Sequence, residues 1–351
     1  MKYSDINHFQ SLYKNINPDF GFNAKTTEEF TIWQDCFCSQ LREVLGLHRL
    51  QNDLKDFQPF AHQIDEEETG EFIRQRWVLQ VEPTVPLPFI LLKPKVINGQ
   101  IPLVLTPHGH AKNTEMYAGI VTSPEEEQFM LEGDRDIAVQ AVREGYLVIA
   151  PTTRGFGETR TEQGKAEDTQ NSCRDLLVHD LLVGRTPTGD RVWDISRFID
   201  WAFEVLPVDR ERVAITGNST GGTISLFAAA LDERITLSAP GSYFCTFAGS
   251  IGSIQHCECN YIPGLLTLGE MADVAGLIAP RPFMAINGKE DPIYPIDEVY
   301  KAFEQLKKIY AIAGVPENVE LFVGEGGHRY YKAEVWPFIR RYFSKNTGTK
   351  A

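Results

Sequence analysis

Ile215-Thr216-Gly217-Asn218-Ser219-Thr220-Gly221-Gly222 is the stretch that decides how this chain is read. Just upstream, Arg212–Thr216 is a short apolar strand; downstream, Ser219–Leu231 is a helix of small residues. A Gly-x-Ser-x-Gly pattern at a strand-to-helix turn is a nucleophile elbow. The glycines meet a steric need, because side chains at 217 and 221 would collide with neighbouring backbone where the strand turns sharply into the helix. The helix that starts there aims its N-terminal amides and positive dipole end at the serine oxygen. A glycine turn with an incidental serine is the plain alternative, and the flanking strand and helix speak against it.

A serine hydroxyl needs a base, and the base needs an orienting acid. In this architecture the acid follows the serine and the histidine follows the acid. Two of the eight histidines lie after Ser219, His256 and His328. His328 stands in Gly324-Glu-Gly-Gly-His328 directly after the strand Val319–Val323, so a loop can carry its imidazole over the carboxyl edge of a sheet. His256 precedes the best acid and breaks the order. Asp291 follows the strand Pro282–Ile286 in a turn closed by Pro292, 72 residues after Ser219 and 37 before His328. Glu290 is its rival; Asp273 and Asp297 fall inside helical patterns. Two amides must hold a tetrahedral oxyanion. Thr220 supplies one, and the loop His108-Gly109-His110-Ala111 after the strand Ile101–Thr106 supplies the other, with His110 first choice.

Outward from the elbow, apolar strands without polar alternation (Ile101–Thr106, Tyr146–Ala150, Arg212–Thr216, Arg234–Ser238, Pro282–Ile286, Val319–Val323) alternate with helical stretches. Those stretches include Asp136–Glu144, Arg191–Val205, Ile296–Ile312 and Lys332–Phe343. The alternation predicts an α/β fold, a mostly parallel sheet covered on both faces. Ahead of it, Lys25–Leu50 reads as an amphipathic helix, and Phe72–Val81 with Pro88–Lys93 as an antiparallel hairpin. The division expected is residues 1–84 as an N-terminal helical segment and first strand packed on a core of 85–345. Residues 241–280 are too long for an ordinary loop and read as a cap inserted before the acid-bearing strand. Within it Tyr243, Phe244, Phe247 and Tyr261 are candidate substrate-binding residues, with core packing an equal alternative.

Composition narrows the function. The 351 residues carry 34 basic and 48 acidic side chains, a net charge of −14, with no basic cluster suited to nucleic acid. No window approaches a membrane span, and Met1–Phe20 lacks the apolar run of a signal peptide. Six unpatterned cysteines suit a reducing compartment, so a cytoplasmic protein is expected.

The segments His108-Gly109-His110, Arg154-Gly155-Phe156-Gly157, Gly217–Gly222, Gly288-Lys-Glu-Asp291-Pro292 and Gly327-His328 resemble the α/β-hydrolase superfamily. More narrowly they resemble its acetyl xylan esterase-like and dienelactone hydrolase-like branch. His256-Cys257-Glu-Cys259-Asn-Tyr261-Ile-Pro-Gly264 and Ala279-Pro-Arg-Pro282 add to that likeness. The resemblance covers residues 85–345. It implies Ser219 as nucleophile, Asp291 as acid, His328 as base, and the amides of His110 and Thr220 as the oxyanion hole. It also implies small acyl esters, acetyl esters of carbohydrate among them, as substrates. Dienelactone hydrolases use cysteine as nucleophile, so their lactone chemistry does not transfer. Glucuronoyl esterases carry an arginine after the serine, where this chain has Thr220.

The expectation is therefore a serine carboxylic-ester hydrolase without metal or organic cofactor, its partner a small-molecule or carbohydrate ester. A serine peptidase of the same fold and a non-catalytic binding protein on a hydrolase scaffold are the competing classes. Cys36-x-Cys38 with Cys257-x-Cys259 does not read as a zinc site, because residues two apart on a helix point about 200° apart and neither pair has the two-to-four-residue separation of structural zinc ligands. Gly155-x-Gly157 lacks the third glycine of a dinucleotide fingerprint, position 160 being arginine. Arg185, Trp193, Asp194, Arg197 and Asp200 read as a structural polar network.

Overall fold

Nine strands form one sheet in a computed structural model that describes residues 5–110 and 113–345. They are β1 (Phe60–Glu68), β2 (Phe72–Glu82), β3 (Val85–Pro94), β4 (Ile101–Leu105), β5 (Leu147–Pro151), β6 (Val208–Asn218), β7 (Leu237–Gly241), β8 (Phe283–Gly288) and β9 (Val319–Gly324). Their spatial order is β1-β2-β3-β5-β4-β6-β7-β8-β9. The first three pairings are antiparallel and the other five parallel. This is the α/β-hydrolase arrangement expected, with β5, β7 and β8 buried along their whole length. Burial on both faces is why those strands read as unbroken apolar runs.

Helices cover both faces. On one, Thr27–Val44, Pro187–Val205, Thr220–Leu231 and Ile296–Ile312 bury Phe37, Phe198, Phe227 and Leu306 in the larger core. On the other, Ile137–Arg143 and Lys332–Lys345 bury Ala138, Val335 and Ile339. The N-terminal residues share this framework, since β1 and β2 extend the sheet and Phe30, Trp33, Phe37 and Leu41 enter the larger core. Between β7 and β8 the chain runs through a 3-10 turn (Glu258–Asn260) and two short helices, Leu265–Leu268 and Met271–Gly276. Among the described residues no helix is long and apolar enough to cross a membrane.

Three local differences have physical causes. The pattern over 25–50 breaks into Thr27–Val44 and Leu47–Asp53, because Gly46 sits at φ +79° against the Gly184 backbone, where a Cβ has no room. Strand β1 escapes a periodicity search because it is a charged sheet edge. Its acids instead pair across to β2, Glu67 with Arg74 at 3.2 Å and Asp65 with Arg76 at 3.6 Å. Strand β7 begins at Leu237 rather than Arg234, whose guanidinium turns outward to Asp232 at 2.6 Å. The helix Asp5–Asn15 was not anticipated.

Candidate active site

Strand β6 hands over to helix Thr220–Leu231 through Ser219, whose φ of 58° and ψ of −120° lie outside the comfortable regions for a side-chain-bearing residue. Positive φ at a non-glycine is stored strain that the surroundings must enforce. They do so by close packing. A Cβ at Gly217 or Gly221 would run into the Pro107 carbonyl oxygen, and one at Gly109 into the Asn218 carbonyl. The Ser219 amide donates to the Gly241 carbonyl at 2.9 Å, locking the turn to the end of β7. Among the described residues the Thr220 amide donates to no backbone carbonyl and stands free at the helix N-terminus.

The structure brings Asp291 and His328 together. His328 Nδ1 and Asp291 Oδ2 are 2.7 Å apart. The other carboxylate oxygen accepts the amides of Ile293 at 2.9 Å and Tyr294 at 3.4 Å, so the acid is held on both sides. The Asp291 side chain is fully buried, while His328 keeps about a quarter of its exposure (24%) toward the edge of the sheet. Ser242, next to the residue that anchors Ser219, donates to the Arg329 carbonyl at 2.8 Å and ties the two loops together. Neither the Ser219 hydroxyl nor His328 Nε2 has a hydrogen-bond partner among the described residues, and apo contacts of this kind commonly tighten only in a complex. The rival acid Glu290 is exposed. Asp273 is buried but accepts the amides of Phe22 (3.1 Å) and Glu270 (2.8 Å), a structural task. Asp297 lies in the first turn of helix Ile296–Ile312.

The loop after β4 is tied at three consecutive residues. His108 is buried, its Nδ1 2.8 Å from the Gly109 carbonyl and its Nε2 accepting the Thr153 amide at 2.9 Å. An acceptor at Nε2 assigns the proton to Nδ1, and burial pushes its pKa down to about 4, so the ring is neutral. Gly109 fits only without a side chain. His110 Nδ1 meets the Thr220 hydroxyl at 2.7 Å, joining the two residues expected to form the oxyanion hole. Ala111 lies outside the described residues.

His256 sits at the rim. Its Nδ1 accepts from Asn260 at 3.1 Å and its Nε2 meets the Tyr294 hydroxyl at 3.2 Å. Burial lowers its pKa. Tyr294 stacks on His328 with centroids 5.8 Å apart, a contact that sequence reading missed. The four aromatic candidates do not form one wall. Tyr243 packs on Tyr294 at 5.7 Å, and Phe244 is buried against Phe283 in the core. Phe247 and Tyr261 instead line a cavity of about 280 Å³ shared with Leu12 and Tyr13 of the first helix and Ile16 just after it.

The cysteines also regroup. Cys36 and Cys38 stay on helix Thr27–Val44, whereas Cys257 and Cys259 meet Cys173 and His110. The polar network divides in two. Arg154, absent from the sequence reading of it, is buried among Glu82 at 2.8 Å, Asp190 at 2.9 Å and Asp194, with Arg185 bridging Glu82 and Asp190. Arg197, Asp200 and Arg234 form the second group.

The Abhydrolase family profile matches residues 3–334. The chain is 26% identical over 294 residues to "Putative hydrolase YtaP" of Bacillus subtilis, an alignment covering 80% of this chain and 91% of that one. It is 28% identical over 183 residues to the 4-O-methyl-glucuronoyl methylesterase of Phanerochaete carnosa, covering 44% of this chain and 45% of the relative. In fold it resembles the Bacteroides fragilis protein BF1801, described as a putative acetyl xylan esterase. The TM-score there is 0.77 at 19% identity, covering 92% of this chain and 83% of the other.

Proposed function

The chain belongs to the Abhydrolase family, and from that premise we propose that it is a serine carboxylic-ester hydrolase acting on small acyl esters, acetyl esters of carbohydrate foremost. The observation that carries the reading is the pairing of the partly exposed His328 with the buried Asp291 at 2.7 Å, tied through Ser242 to the strained turn that presents Ser219. The names of the relatives support an ester of carbohydrate as substrate class.

In the proposed reaction Ser219 Oγ attacks the ester carbonyl as His328 Nε2 takes its proton. Asp291 accepts the Nδ1–H bond, fixes the tautomer and stabilises the imidazolium. The amides of Thr220 and His110 hold the oxyanion, an effect worth about 10²–10³ in kcat per donor in serine hydrolases. Collapse of the intermediate expels the alcohol, which leaves with the proton from Nε2. Water then adds to the acyl-serine with His328 again as base, and the carboxylic acid departs.

Hydrolysis of p-nitrophenyl esters of increasing acyl length, beside a peptide amide, tests the proposal. Wild type should favour acetate over longer chains and leave the amide intact, and Ser219→Ala should lose at least about 10³ in kcat. Equal ester hydrolysis by wild type and Ser219→Ala would remove the reading.

A further inference from the structure

Four metal-seeking side chains from three separate stretches converge beside the loop after β4. They are His110 in that loop, Cys173 at the start of helix Cys173–Leu182, and Cys257 and Cys259 around the 3-10 turn Glu258–Asn260. One donor atom from each lies within 4.8 Å of all the others, and the sulfurs of Cys257 and Cys259 are 3.3 Å apart. A zinc–sulfur bond of about 2.3 Å sets tetrahedral sulfur–sulfur edges of about 3.8 Å, so changes in separation of about an ångström at most close this cluster on an ion. The C-x-C spacing that fails on a helix succeeds here because Cys257 is extended (φ −61°, ψ 134°) and Cys259 lies in the turn that follows.

Two independent features point to a cation among these donors. His110 Nε2 is buried without a hydrogen-bond partner, while Nδ1 is engaged by the Thr220 hydroxyl. With Nδ1–H donating to the Thr220 hydroxyl, one of the two tautomers this contact accommodates, Nε2 presents its lone pair as a metal ligand does. The second feature is charge. Arg191 is buried at 3% exposure, and its hydrogen bonds run to the Arg154 carbonyl (3.2 and 2.8 Å) and Cys173 Sγ (3.3 Å). No carboxylate pairs with it among the described residues, and a buried unpaired guanidinium is costly. Three thiolates around a dication carry one net negative charge, which Arg191 cancels. The Phe156 ring, edge-on to His110 at 5.3 Å, closes one side with an apolar wall.

We propose that His110, Cys173, Cys257 and Cys259 form a closed four-coordinate site for a thiophilic divalent cation, zinc by its donor set. Four protein ligands leave no position for water, so the ion is structural and activates nothing. It clamps the loop after β4 to the segment between β7 and β8, and the thiol protons leave to solvent on binding. The site stands apart from the hydrolytic reading, because its test measures metal.

Full-length protein, reduced and exchanged into chelator-free buffer, should retain about one zinc per chain by elemental analysis. Metal-free protein titrated with Co²⁺ should develop the intense thiolate-to-cobalt charge-transfer band and visible bands of tetrahedral coordination. Cys173→Ser and Cys257→Ser should weaken that band and the affinity, and Thr220→Val should cost about 10–100-fold in affinity through the released histidine. Folded wild type that binds neither ion stoichiometrically overturns the proposal. So do cysteine variants that keep wild-type affinity, or a wild type whose cluster cysteines are isolated as a disulfide with zinc in excess.

Discussion

Replacing Asp291 by asparagine isolates one atom's chemistry. The Oδ1 of Asp291 accepts the amides of Ile293 and Tyr294, and in the variant the carboxamide oxygen must keep that place or leave two donors unsatisfied. The amide nitrogen then occupies the Oδ2 position, 2.7 Å from His328 Nδ1, and presents a donor where the wild type presents an acceptor. Nδ1 has to accept, so the ring's proton moves to Nε2 and the imidazole can no longer deprotonate Ser219. Wrong-tautomer triads of this kind lose about 10⁴ in kcat, roughly 5 kcal/mol of barrier at about 1.4 kcal/mol per decade. Hydrogen bonds are conserved in number and the side chain stays the same size, so the thermal midpoint should move by only a few degrees. The assay is initial-rate kinetics on p-nitrophenyl acetate, with a urea melt as control. A folded Asp291→Asn protein within tenfold of wild-type kcat would refute the reasoning, and Glu290 would become the acid to test.

The other expectations concern what holds the site's surroundings. His108 is buried with a folded pKa of about 4 against an ordinary 6.5, so the unfolded chain binds a proton in that interval that the folded one refuses. Stability contributed by the neutral ring is therefore complete above pH 6.5 and falls away as pH drops from 6.5 to about 4, by about 3 kcal/mol in all. Urea midpoints measured across that window should flatten in His108→Gln, and an unchanged acid limb would count against the assignment. Arg154→Met strands Glu82, Asp190 and Asp194 around a missing cation, with Arg185 left to serve two of them. Breaking such a buried group should cost about 3–5 kcal/mol in chemical denaturation, partly recovered at low pH as the acids protonate.

Much of the frame was written in local pattern. Helix Ile296–Ile312 coincides with its predicted span, and β4, β5, β8 and β9 fall within a residue or two of theirs. The helix is strongly amphipathic and the strands are short, largely apolar runs, so local pattern reports them without help from the rest of the fold. The proposed trio Ser219, Asp291 and His328 could be picked out for a related reason, since each lies within four residues of the end of a strand and strand ends converge at one edge of a parallel sheet. What escaped depends on distant partners. The charges of β1 look like solvent-exposed turn until Arg74 and Arg76 stand opposite them. Tyr294 is one aromatic among many until it stacks on His328. Cys173 lies 84 residues before Cys257, with no spacing rule to connect them.

The loop after β4 shows why three neighbouring residues can be equally constrained for unequal reasons. His108 fastens it to the segment just past β5 through Thr153, and must stay neutral to do so. Gly109 lets it lie against Asn218 and Ser219 at a distance no side chain permits. His110 reaches the opposite way, to Thr220 and the cysteine cluster. A strained serine is only as well placed as the backbone it presses on, and the Pro107 carbonyl that Gly217 and Gly221 approach belongs to this same loop. Loosening any of the three ties therefore lets the elbow relax its positive φ and moves the amides that would hold an oxyanion. Substitutions at 108, 109 and 110 should for that reason depress kcat more than KM, because the geometry they disturb is used in the transition state and not in the first encounter with substrate.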